Sequence, residues 1–240
     1  MNSIPITDSV TLRNVTLERA GNCVLDNVSL HLSERRIGLI GRNGSGKSSL
    51  VSLFNGMLKP TSGQVLINGA NVTEKGRDRR ANVGYIFQNP DHQIIFPTVI
   101  EEIAFSLEMS GTERKDAKCI AAEYLASLDA ANLAQRPVHM LSEGQKQWLC
   151  IHAVLVTKPK VLVLDEPFSS LDLLNRYRLV KWISKFTQQI FLISHDLEVL
   201  SDFDRIIWLD SGQVHSDGKP SDVLPEYRED AWNSAGGGEF

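Results

Sequence analysis

Nowhere in this chain do apolar residues run for the roughly 18 positions that a membrane-spanning helix needs, and the start, Met1-Asn-Ser-Ile-Pro5, has no basic stretch leading into an apolar one. The sequence is therefore expected neither to be exported by a leader nor to cross a bilayer, and no basic amphipathic helix offers a lipid anchor. Cysteine is scarce: Cys23, Cys119 and Cys150 are odd in number and far apart. That argues against a disulfide framework and a zinc site, and it fits a reducing cytosol in which the thiols are small apolar side chains. Runs of like charge are missing too, since 25 Lys and Arg against 29 Asp and Glu leave a net charge of -4 without clustering. Nucleic acid is thus not an expected partner. No internal repeat is visible.

What is present is enough chain, 240 residues, for one domain with an inserted subdomain. Val10 to Leu17 and Ser29 to Leu32 alternate apolar with polar residues around a Gly21-Asn22 turn, which reads as antiparallel strands. Ile37-Gly-Leu-Ile40 is a buried strand running into a glycine-rich loop, and Ser48 to Leu58 then has helical spacing. Further buried strands are expected at Val83 to Phe87, Val161 to Leu164, Ile190 to Ile193 and Ile206 to Leu209. With helices between most of them, the pattern predicts an α/β fold whose main sheet is mostly parallel and covered on both faces. Between Asn89 and Lys158 the pattern turns almost wholly helical, over Val99 to Met109, Arg114 to Leu128 and Gln145 to Val156, as an insertion between two core strands. The last residues, Ser234 to Phe240, lack periodicity and are expected to be a disordered tail or cloning remnant. The domain is set at 8–220 and the tail at 221–240.

Gly41-Arg-Asn-Gly-Ser-Gly-Lys47-Ser48 lies between a predicted strand and a predicted helix, the context in which this spacing makes a phosphate cradle. Glycines let backbone N–H groups turn inward, Lys47 reaches the terminal phosphates and Ser48 ligates Mg²⁺. Gly41, Asn43, Gly44, Ser45, Gly46, Lys47, Ser48 and Ser49 are the expected contacts of the loop. A dinucleotide fold is the rival for Gly44-Ser-Gly46, but Ser49 replaces the third glycine and a lysine sits inside the turn. Val161-Leu-Val-Leu-Asp165-Glu166 ends a buried strand with two acids, where an open α/β sheet places its ligand. Asp165 is expected to hold the metal or its water, and Glu166 to orient and activate the attacking water. His195 ends another buried strand; it is a turn residue or, in this company, a contact to the γ-phosphate. His31, His92, His139, His152 and His215 have no ligand spacing and read as structural or surface residues.

Leu141-Ser-Glu-Gly-Gln145, opening a helix ahead of the acid pair, resembles the signature motif of ATP-binding cassette proteins. Gln88 resembles that family's Q-loop glutamine, Ser170-Leu171-Asp172 its D-loop, and His195 its switch histidine. The resemblance spans about Leu12 to Pro220 and implies the P-loop ATPase core with an N-terminal antiparallel β-subdomain and an inserted α-helical subdomain. It also implies ATP and Mg²⁺ as cofactors, with Gln88 joining Ser48 and Asp165 at the metal, and Glu166, His195 and Gln88 serving hydrolysis. Ser142, Gly144 and Gln145 face away from their own phosphate loop, so they imply a second cassette whose nucleotide they complete. Three positions depart from the family pattern. Glu143 stands in place of glycine and brings a negative charge toward the triphosphate. Trp148 stands in place of arginine, so a local salt bridge is not expected. The aromatic that stacks on adenine is missing, and Arg19 is either its guanidinium substitute or an exposed turn residue.

Gln88 to Phe105, Gln-Asn-Pro-Asp-His-Gln-Ile-Ile-Phe-Pro-Thr-Val-Ile-Glu-Glu-Ile-Ala-Phe, is similar to the Q-loop segment of ATPases in energy-coupling-factor importers. That likeness implies partners: a transmembrane scaffold whose coupling helices meet the segment carrying Asp91 and Gln93, and a substrate-binding membrane protein. It implies a place on the cytoplasmic face of the bacterial inner membrane. Within the group the chain most resembles ATPases of biotin uptake, with cobalt or nickel import and a non-transport cassette as alternatives. A regulatory nucleotide-binding module without turnover is the remaining rival; it should lack Glu166 or His195.

Overall fold

The computed structural model describes residues 9–72, 83–169 and 171–236. The chain divides into two compact units, one made of Met1–Arg80 and Gln188–Phe240, the other of Ala81–Thr187.

In the first unit, β1 (Val10–Arg19), β2 (Asn22–Leu32), β4 (Ser62–Ile67) and β5 (Ala70–Asn71) form an antiparallel sheet in the order β2-β1-β4-β5. Val10, Leu12, Val15 and Leu17 are buried along β1. The alternation skips at Asn14, which takes a left-handed φ of 49° while the register with β2 shifts between Leu12 and Val15. Asn tolerates that conformation better than most residues, and the bulge lets two positions three apart face the same core. The hairpin turns on Ala20 and Gly21, both at positive φ, one residue earlier than expected. Two left-handed residues match the twist of the strands they join.

The same unit holds a second sheet in the order β10-β9-β3-β8, built from β3 (Arg36–Ile40), β8 (Gln189–Ile193), β9 (Arg205–Asp210) and β10 (Gln213–Gly218). β3 is parallel to β8 and β9, and β10 is antiparallel to β9. Ile37, Leu39, Ile190, Phe191, Leu192, Ile206, Ile207 and Leu209 are fully buried, the continuous apolar pattern of strands covered on both faces. Helix α1 (Lys47–Ser52) is shorter than the expected Ser48 to Leu58, giving way to turns before Gly56 at φ 71°. Beyond α6 (Leu197–Leu200), the segment expected to be a tail is instead helix α7 (Pro220–Gly236). Val223 and Leu224 are buried and Tyr227 packs edge-on to Trp208 at 5.2 Å, which holds a largely polar helix to the sheet. Residues 8 and 237–240, where the domain start and the last part of the tail were placed, lie outside the described residues.

The second unit pairs β6 (Val83–Ile86) in parallel with β7 (Val161–Asp165) and carries α2 (Val99–Met109), α3 (Arg114–Ser127), α4 (Glu143–Leu155) and α5 (Leu173–Ile183). Ile103 of α2, Ala117, Ala121 and Leu125 of α3, and Leu149 of α4 are fully buried in a core of their own. The two alanines lie four apart on one face of α3 and let it approach its neighbours closely. No described helix is long and apolar enough to cross a membrane. The α/β class, mostly parallel strands, separate N-terminal antiparallel sheet and helices between β6 and β7 agree with the sequence reading.

Candidate functional site

The phosphate loop joins β3 to α1, and its three glycines adopt φ of 143° (Gly41), 83° (Gly44) and 100° (Gly46), values that only glycine takes freely. A Cβ at Gly41 would stand 2.1 Å from the Leu209 carbonyl oxygen, and one at Gly46 would stand 2.8 Å from that of Val24. Gly44, by contrast, has open space where its Cβ would be. The loop is thus pressed onto β9 and β2 at its ends and open at its crown. Lys47, buried, donates from Nζ to the carbonyls of Gly41 (2.7 Å) and Arg42 (2.8 Å). Its charge is aimed into the hollow of its own loop, held by two oxygens that a polyphosphate would replace. Ser45 Oγ is buried with no hydrogen-bond partner among the described residues, and its backbone carbonyl accepts from Gly212 N at 3.2 Å. An inward lysine, an orphaned hydroxyl and an open crown together fit a bound triphosphate. Asn43, Gly44 and Ser48 are exposed and Ser49 half-buried. Arg42 reaches outward to Asp230 (2.9 Å) and to Ser234 on α7.

Two further expected residues share this unit. His195 is exposed just after buried Ser194, and parallel pairing of β3 with β8 brings it out at the same sheet edge as the phosphate loop. Arg19 is exposed at the tip of the hairpin whose Val24 carbonyl abuts Gly46.

In the second unit, Asp165 ends β7 and Glu166 follows at a left-handed φ of 47°, uncommon for a residue with a side chain. Tyr85 of β6 donates its hydroxyl to Asp165 Oδ2 at 2.7 Å. Sequence reasoning missed Tyr85; its signal was the parallel register in which Tyr85 faces Val163, two residues before the acid. Gln88, exposed, leaves β6 at the same edge of this strand pair. Gln93 is turned inward: its Oε1 accepts from Phe87 N (3.2 Å) and its Nε2 donates to the Cys150 carbonyl (3.1 Å), so it braces the Q-loop. Buried Glu102 braces the same segment, accepting from Ile95 N (2.9 Å) and Phe96 N (2.8 Å). Desolvation raises its pKa against the lowering effect of those two bonds.

Ser142 caps α4 in a reciprocal box: its Oγ accepts from Gln145 N (3.3 Å), and Gln145 Oε1 accepts from Ser142 N (3.1 Å). Glu143 is countered locally. Lys146 Nζ lies 3.1 Å from Glu143 and 2.8 Å from Asp91, and its pKa is raised chiefly by the hydrogen bond to Asp91 and then by that to Glu143. Trp148 joins an aromatic stack in which His152 lies 4.3 Å from its ring and 4.6 Å from Trp182, with the Tyr124 hydroxyl 2.8 Å from His152 Nδ1. Desolvation lowers the His152 pKa to about 4, so the imidazole is neutral and structural. Asp172 caps α5 by accepting from Asn175 N (2.8 Å) and holds the Asn175 amide (3.0 Å); a Cβ on Gly144 would stand 3.0 Å from that amide carbon. Ser170 lies outside the described residues.

A phosphate loop of this shape, a strand-end acid pair and a capped Leu-Ser-Glu-Gly-Gln turn define an ATPase of the cassette class. Residues 25–169 match the family model described as ABC transporter. The chain is 44% identical to the biotin transport ATP-binding protein BioM of Rhodobacter capsulatus, over 91% of this chain and 94% of that one. It is 38% identical to the energy-coupling factor transporter ATP-binding protein EcfA1 of Ligilactobacillus salivarius, over 86% and 75%. Among solved structures it superposes on cbiO1 of Clostridium perfringens, part of the cbiONQ complex, with a TM-score of 0.77, 26% identity and 92% of each chain covered. A dimeric, ADP- and phosphate-bound ATP-binding cassette, MJ0796, matches with a TM-score of 0.76 at 26% identity, over 88% of this chain and 98% of that one. This chain belongs to the ABC transporter ATPase family: it is the ATP-binding and ATP-hydrolysing subunit of an ABC transporter.

Proposed function

We propose that the chain powers an energy-coupling-factor importer for a vitamin, biotin, as a homodimer of cassettes spanning residues 8–220, each with a helical subdomain at 89–158. The observation that carries this reading is the 44% identity to a biotin transport ATPase along nearly the whole chain. The braced Gln88 to Phe105 segment supports docking to a membrane scaffold, which in turn works with a substrate-binding membrane protein. The complex then sits on the cytoplasmic face of the bacterial inner membrane.

In this reading the backbone of Gly44, Ser45 and Gly46, with the Asn43 and Ser49 side chains, cradles the phosphates while Lys47 leaves its loop carbonyls for the terminal ones. Arg19 stacks on the adenine. Ser48, Gln88 and Asp165 would hold Mg²⁺, with Tyr85 keeping the Asp165 carboxylate oriented. When bound, the metal would supply neutralisation of the phosphates' negative charge. Glu166 accepts a proton from the attacking water and His195 contacts the γ-phosphate. Ser142, Gly144 and Gln145 complete the pocket of the opposing copy, so that ATP closes the dimer by its greater affinity for the closed state.

The test is purification of the intact complex followed by uptake of labelled biotin in cells. Two co-purifying membrane proteins and biotin uptake abolished by Glu166→Gln are expected. Soluble partners only, or uptake of Co²⁺ or Ni²⁺ in place of biotin, would refute the cargo.

A further inference from the structure

We propose that a cavity in the helical unit, behind the signature turn, is a second small-molecule site shaped for a compact cyclic urea or amide bearing a carboxylate. It is an open pocket of about 970 Å³, walled by the loop after α3 and by α4 and α5, a volume within the usual range for small-ligand sites. Three observations define its chemistry.

The first is Gln147. It lines the pocket and is only 2% exposed, yet among the described residues neither its Nε2 nor its Oε1 has a hydrogen-bond partner. Buried amides are nearly always paired, so an orphan beside a cavity marks a missing partner. Its donor and acceptor lie side by side, the complement of a ring edge presenting N–H next to C=O. The second is the stack of Trp148, His152 and Trp182, all lining residues, whose imidazole is held neutral by burial. Trp148 and Trp182, half-buried on either side of the buried imidazole, offer ring surface that suits a flat, uncharged ring. The third is charge: Arg136 and Arg178 also line the cavity, against the single carboxylate of Asp129. Among the described residues, Arg136 donates only to the Met140 carbonyl (3.3 Å). Neither guanidinium has an ion-pair partner among the described residues, so the pair is available to an anion.

The cavity is also lined by Ser142, Gly144 and Gln145. A bound molecule there meets the wall that an opposing copy's nucleotide must use, so occupancy slows ATP turnover. Biotin carries both a cyclic urea and a carboxylate; naming it as the physiological occupant rests on the proposed function, whereas the chemical class rests on the cavity alone. An importer inhibited in this way would slow as its cargo accumulates inside.

The experiment titrates the purified full-length chain, without ATP, with labelled biotin in equilibrium dialysis and separately with 2-imidazolidone-4-carboxylate, following tryptophan fluorescence. Saturable binding of one molecule per chain is expected, weakened at least tenfold by Gln147→Leu and severalfold by Arg178→Gln. Biotin methyl ester should bind more weakly than biotin to the native chain, with a smaller difference between the two in Arg178→Gln. Steady-state ATP hydrolysis should fall as the site fills and recover in Arg178→Gln. Binding of the imidazolidone but not biotin would keep the site and remove biotin from it, a result independent of whether cells import biotin. Absence of saturable binding of either probe at millimolar concentration, or binding unchanged in both variants, would overturn the proposal.

Discussion

Glu166 carries its functional group on a backbone twisted to a left-handed φ of 47° directly after a buried strand. Such a conformation costs about 1–3 kcal/mol and persists where the surroundings enforce it. Glu166→Gln keeps the shape and removes the base proposed for the attacking water, so phosphate release should fall by about a hundred- to ten-thousand-fold while binding of a fluorescent ATP analogue remains. Equal turnover in both forms would remove Glu166 from the mechanism. His152 makes a second residue-scale prediction. Its folded pKa of about 4 lies below the unfolded value of 6.5, so the unfolded chain takes up the proton first. Stability is therefore full above pH 6.5 and drains as pH falls toward 4, by up to about 3 kcal/mol. Thermal melts of His152→Gln should start lower at neutral pH but show a flatter acid slope than the native chain. At this scale the strand-end acids and the loop lysine were legible because motif and context coincide. Tyr85 and the inward Gln93 were not, since each acts through a partner remote in sequence: Asp165 for one, Cys150 for the other.

Helix α4 begins with an exposed acid beside the turn expected to meet a triphosphate, and Lys146 holds that acid. Lys146→Met should raise the KM for ATP by up to about fivefold, the scale of a partly exposed ion pair worth up to about 1 kcal/mol. Glu143→Gly in the same chain should restore it, as measured in steady-state hydrolysis; a double variant no better than Lys146→Met would show that the lysine serves another purpose. The helices around this one were readable from sequence because Val99, Ile100, Ile103 and Leu107 repeat at three- and four-residue spacing. β4 and β10 were not, because β4 buries only Val65 and Ile67 and β10 buries no residue fully. α7 escaped for a related reason, its apolar anchorage coming from three residues, Val223, Leu224 and Tyr227, in an otherwise polar stretch.

On the scale of the whole chain, the three thiols report folding. Cys23 and Cys119 are exposed, whereas burial pushes the Cys150 thiol up to about 12. Mass spectrometry after iodoacetamide at pH 8 should show two labels on the native protein and three in guanidinium; rapid labelling of Cys150 would mean that α4 opens readily. Assembly gives a second measurement. Glu166→Gln with Mg·ATP should run at twice the monomer mass in light scattering, and Ser142→Phe in that background should return it to monomer. The Ser142 turn and the phosphate loop were readable because both are local motifs. The fill of the helical core and the aromatic stack around His152 are set by tertiary packing, which no local pattern records.

The arginine inside the phosphate loop is tethered to the last helix through Asp230 and Ser234. A preparation clipped by protease ahead of Asp230, or fused there to a purification handle, sets Arg42 adrift at the mouth of the nucleotide cradle. Batches trimmed at different places would then disagree in their ATP affinity although every residue of the cradle itself is intact.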